Sequence, residues 1–163
     1  MSALAVFTLF HVVLSLAGIF SGFVVVLGLL KAKAVPGWTA IFLWTTVGTS
    51  VTGYLFPFHK LLPSHILGAI SLVALGVAIY ALYRRNLAGS WRQAYAVTAV
   101  LALYLNVFVL VAQLFAKVPA LKALAPTQSE GPFKVAQLVV LISFVVVGVL
   151  ATRSFRLGTA KIA

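Results

Sequence analysis

A chain of 163 residues that is 63% hydrophobic and only 8% charged has too little polar surface to coat a water-soluble core, since an average soluble domain is about 25% charged. Its mean hydropathy of +1.17 and its runs approaching the ~20 apolar residues that cross a ~30 Å hydrocarbon layer make lipid the solvent, and the lack of alternating ladders excludes a barrel. Twelve Lys plus Arg against one acid give +11, and there is no cysteine, so the charge points to loop residues that set orientation and meet anionic headgroups rather than nucleic acid, while disulfides and thiolate metal sites are excluded.

The first predicted span, 3–30, has no Lys or Arg before its apolar run and reads as a retained helix rather than a leader. Thr8, His11, Ser15, Gly18 and Gly22 recur along it at spacings of three and four, which places a small, polar stripe on one face. The Gly18/Gly22 pair permits close backbone approach, within the chain or between copies. Lys31, Lys33 and Pro36-Gly37 close the first loop. A second span, 38–56, carries Thr45, Thr49 and Thr52, whose hydroxyls can bond back to the preceding turn.

Pro57 and Pro63 bracket the next loop, which holds His59. Pro63 suits the entry of a third span, 64–83, with His65 in its first turn. After a turn at Gly89-Ser90, a fourth span, 91–116, shows a stripe of Tyr95, Thr98, Ala102, Asn106 and Gln113. The long loop that follows has room for a short surface helix at 120–124. In Thr127-Gln128-Ser129-Glu130 the sole acid of the chain resembles half of a capping box at the start of a fifth span, 133–152, with Gln137 near its beginning. The expectation is an all-α, polytopic transmembrane bundle in one domain, with five spans. Four spans and a peripheral helix is the alternative.

Five crossings put Lys31, Lys33, Arg84, Arg85, Arg92, Arg153, Arg156 and Lys161 on one side and Lys60, Lys117, Lys122 and Lys134 on the other. The positive-inside rule makes the richer side cytoplasmic, with the N-terminus outside and the C-terminus inside, as in a bacterial inner (plasma) membrane. Trp38, Tyr83 and Trp91 then form an inner aromatic belt. Most polar side chains gather toward the outside, with His11 about 10 Å deep at 1.5 Å per residue and Asn106 near the midplane, while the inner halves read as dry. Such asymmetry suits an outward pocket better than a conduction path.

An ionisable residue inside a span is costly and carries a functional expectation by default, which singles out His11. The residues expected to bind a small or lipidic ligand, of quinone or lipid-headgroup type, are His11, His65, Asn106, Gln113, Thr49 and Gln137. A metal would have to draw on His11, His59, His65 and Glu130, a set without ligand-like spacing. A haem b held between His11 and His65 resembles the small membrane anchors of respiratory enzymes, in which two helices each contribute an axial histidine. That resemblance implies an electron-transfer or assembly subunit docked in a larger membrane complex. A scaffold without ligand, alone or as a homo-oligomer, is the third reading. With one acid and no nucleophile–base–acid set, the residues point away from an enzyme.

Overall fold

The computed structural model describes residues 2–56 and 63–157, and every element among them is a helix. These are α1 (Ala3–Leu30), α2 (Pro36–Gly53), α3 (Pro63–Ile79), α4 (Trp91–Lys117), α5 (Pro119–Leu124) and α6 (Gly131–Leu157). The last turn of α3 widens into a π-helical segment, Tyr80–Arg84, closed by the Arg85 N–H donating to the Tyr80 carbonyl. Helix starts follow local chemistry. The Ser2 hydroxyl accepts from the Ala5 N–H at 3.2 Å, and prolines open α2, α3 and α5, where their missing N–H costs nothing.

Four helical stretches are long and apolar enough to cross a membrane: α1, His65–Arg84, α4 and α6. The chain is therefore an integral membrane protein. The second expected span differs. Helix α2 starts at Pro36 and ends at Gly53, and its threonines, serine, glycines and tryptophans dilute its hydropathy below that of the other four. Four of its polar side chains are turned inward: Thr39, Thr46, Thr49 and Ser50 are buried. The last segment also differs, since α6 runs to Leu157 rather than ending at 152 and is longer than α2. Helical turns continue through Thr152-Arg153-Ser154 because a long cationic stem can reach the interface from a membrane helix.

Side-chain pairs fix the directions. His11 meets Thr52, and Phe20 meets Trp38, so α1 and α2 are antiparallel. Ser50 with Ser71 and Tyr54 with His65 reverse α3 against α2. Asn106 bonds Thr46, which runs α4 alongside α2, and Gln137 with Phe108 and Phe155 with Tyr95 turn α6 back along α4. Up-and-down order gathers Lys31, Lys33, Arg84, Arg85, Arg92, Arg153 and Arg156 at one end and Lys117, Lys122 and Lys134 at the other.

Lipid tails are as apolar as leucine, so packing rather than burial from water must hold such helices together. The small face of α1 supplies it. A Cβ on Gly22 would lie 2.6 Å from Leu103 Cδ1 and 2.9 Å from Phe42 Cε2, and one on Gly18 would lie 3.0 Å from Thr46 Oγ1. The glycine pair thus serves contacts inside this chain, against α2 and α4. Outward-facing side chains are large and bare, Phe20 at 63% and Val73 at 69% exposure, a surface suited to acyl chains and not to water.

Candidate functional site

At the end of the bundle away from the cationic cluster, α1, α2, α3 and α4 enclose a cavity of about 100 Å³. Helix α1 contributes His11 and Ser15. Helix α2 contributes Thr49, Ser50 and, just past its end, Tyr54; α3 contributes His65 and Ser71, and α4 Asn106. Each arrives by helical phase: His11 and Ser15 are one turn apart, as are Ser50 and Tyr54, and His65, Gly68 and Ser71 follow at threes.

The hydrogen bonds sort these groups into those already spent and those free. Thr52 Oγ1 donates its only proton to the Gly48 carbonyl at 2.7 Å, with Thr49 O a longer neighbour at 3.2 Å. His11 Nδ1, 2.8 Å from Thr52 Oγ1, is therefore assigned as the donor of that pair, leaving Nε2 of the neutral ring as an acceptor. The ring edge is steadied by Phe56, at 5.1 Å and nearly perpendicular. Tyr54 donates to the His65 carbonyl at 2.5 Å, and Ser50 donates to Ser71 at 3.3 Å. Asn106 uses Nδ2 on Thr46, at 3.3 Å.

Thr49 stands apart. Its hydroxyl is buried and has no partner among the described residues, whereas Thr45 and Thr52 return theirs to the preceding turn. Leaving a buried hydroxyl unmade costs about 1–3 kcal/mol. Among the described residues no Lys, Arg or Glu lines the cavity. It presents one idle donor and an imidazole acceptor, chemistry that fits a carbonyl or hydroxyl.

Of the residues expected to bind ligand, His11, Thr49, His65 and Asn106 come together here. Gln113 does not: it is exposed on α4. Gln137 lies elsewhere too, buried between α6 and α4, donating to the Phe108 carbonyl at 3.1 Å while its Oε1 has no partner. Sequence reasoning missed Tyr54, Ser50 and Ser71 as lining groups. The run His65, Gly68, Ser71 at threes was a signal for the last.

The metal set is not assembled. Glu130 sits before the first turn of α6, where Oε1 accepts from the Thr127 hydroxyl (2.8 Å) and N–H (3.1 Å) and Oε2 from the Ser129 N–H. These donors precede the helix, so the carboxylate closes the turn ahead of α6 rather than capping its N–H groups, with the acid still at the end of the helix that favours negative charge. His59 lies outside the described residues. Among the described residues no three metal-binding side chains cluster. Haem fits no better: His11 and His65 share the cavity, but about 100 Å³ is below the ~300 Å³ at which pockets begin to hold drug-sized ligands, and a macrocycle is larger. The basic end is less dry than the sequence suggests, since buried Thr39 and Tyr95 pair there.

Compared with known proteins, the chain matches no family model, no curated protein and no solved structure.

Proposed function

We propose that this is a five-span inner-membrane protein, N-terminus outside, whose outer cavity binds the neutral headgroup of a small or lipidic molecule of quinone or hydroxylated-lipid type. The fifth crossing is α2, which at 18 residues and 1.5 Å per residue is about 27 Å long, close to the hydrocarbon thickness. Thr39, Thr46, Thr49 and Ser50 are turned inward and Thr45 bonds back to its own helix, as a crossing helix requires. The excess of cations at the end carrying Lys31, Arg84 and Arg153 supports a cytoplasmic assignment for that end.

One observation carries the ligand: Thr49, 8% exposed and with a buried hydroxyl that has no partner among the described residues, lines the same cavity as His11 and Asn106. A ligand carbonyl would accept from Thr49, and a ligand hydroxyl would donate to His11 Nε2. The volume suits a single ring or a small headgroup, with any tail lying outside the cavity.

Calorimetry with decylbenzoquinone and its quinol on the detergent-purified protein tests this. Binding by the wild type, lost in His11→Phe with the protein still folded and monodisperse, is the expected result. A wild type that takes up neither form, and whose lipid extract contains no stoichiometric neutral lipid, sinks the reading. If His11→Phe lowers only the melting temperature, the imidazole is a structural group and not a ligand contact.

A further inference from the structure

A second opening, of about 830 Å³, runs between α4 and α6 in the half of the bundle nearer the cationic end. Its walls are Val97, Leu101 and Val149, and Tyr104 and Phe144, with ring centroids 5.7 Å apart, close it at mid-bundle. Gly148 lies in the wall, and its missing side chain keeps the channel wide: a Cβ there would reach only ordinary contact with Val100, at 3.4 Å. At the other end the lining turns polar, with Gln93 and exposed Arg153.

Dimensions and charge both name an occupant. From Gln93 to Tyr104 the groove follows eleven residues of α4, roughly 16 Å, which is about one leaflet of a ~30 Å hydrocarbon core. Arg153 has no acidic side chain near it. The sole acid, Glu130, opens the same helix twenty-three residues earlier, roughly 34 Å away and well beyond a Debye length of about 8 Å at physiological salt. No acidic side chain can pair with it, and it stands at the depth where a lipid phosphate would.

We infer that this groove holds one anionic phospholipid, its phosphate at Arg153 and Gln93 and an acyl chain along the groove to Tyr104 and Phe144. The site is separate from the outer cavity and does not depend on what that cavity binds. Arg153 supplies the preference for negative charge, since a guanidinium forks onto phosphate oxygens. The apolar walls hold the chain in register without regard to charge.

Protein reconstituted with equal phosphatidylglycerol and phosphatidylcholine, released into mild detergent and weighed by native mass spectrometry, provides the test. The wild type should retain phosphatidylglycerol over phosphatidylcholine by roughly fivefold, the size of one basic residue's attraction to an anionic surface. Arg153→Gln should level the two lipids, and Arg153→Lys should keep most of the preference. Gly148→Phe, filling the channel, should shed both lipids while eluting as a folded monomer. Equal retention by the wild type overturns the proposal, as does an unchanged preference in Arg153→Gln, or a wild type that elutes as a dimer with the α4–α6 face closed against a second copy.

Discussion

Thr49 and its neighbours show how a single rotamer separates structure from binding. Three threonines on α2 are chemically alike, yet Thr45 and Thr52 bond back to their own helix and Thr49 does not. Replacing Thr49 with Val keeps the shape and removes an unsatisfied buried hydroxyl, so the ligand-free protein should gain up to about 1 kcal/mol in denaturant titrations while affinity for the quinone probe falls. A loss of stability would mean that the hydroxyl already has a partner, such as a fixed water. Gly22 makes the opposite case, because no side chain fits between Leu103 and Phe42. Gly22→Leu should cost about 1–3 kcal/mol through overpacking, seen as a lower melting temperature in detergent. The Gly18/Gly22 spacing was visible in the sequence as a packing motif, but whether it serves this chain or a second copy was not, since spacing names a face and never the partner. Thr49's idle hydroxyl was likewise invisible, because its rotamer depends on which neighbours arrive.

Among the elements, the helix extents most easily read were those with unbroken apolar runs. Helix α1 covers 3–30 as its composition implied, and α4 runs one residue past its expected end, to Lys117. Where composition changes gradually the ends slipped, as at α2 and at the basic finish of α6. Gln113 failed for a related reason. It lies two turns beyond Asn106 on the same stripe, yet helical phase does not say whether another helix still runs alongside at that level. The start of α6 allows a clean measurement, because Glu130 is the sole acid in the chain. The Thr127 hydroxyl above all holds its carboxyl below the ordinary value, against an opposing desolvation and with help from the Glu130, Thr127 and Ser129 backbone N–H groups. A depressed carboxyl stabilises the fold above its unfolded-state value and loses that contribution as pH falls through the folded one. Thr127→Ala should move the single glutamate carboxyl resonance up toward the ordinary carboxylate range in an NMR titration. An unmoved resonance would show that the backbone donors alone set it.

For the molecule as a whole, membrane class and helical architecture were legible from composition, and the convergence of His11, Thr49, His65 and Asn106 followed once helices alternate in direction. The sense of insertion can be measured directly because the native chain lacks cysteine. Single cysteines at Ser2 and Ser129 should react with an impermeant maleimide applied to intact spheroplasts, whereas one at Ala88 should react only after lysis. Labelling of Ser2 and Ala88 from the same side would leave an even number of crossings between them and dissolve the proposed outer cavity's orientation.

The placement of Glu130 also bears on what the surroundings can do to this protein. Acidity has few handles on it, one carboxylate and three imidazoles. A swap of charged for zwitterionic lipid, in contrast, strips neutralising company from the guanidinium and ammonium groups at the crowded end together, with no acidic side chain among the described residues at that end to take its place. Growth conditions that remodel the bilayer should therefore loosen or tighten this bundle more than any drift in the proton gradient across it.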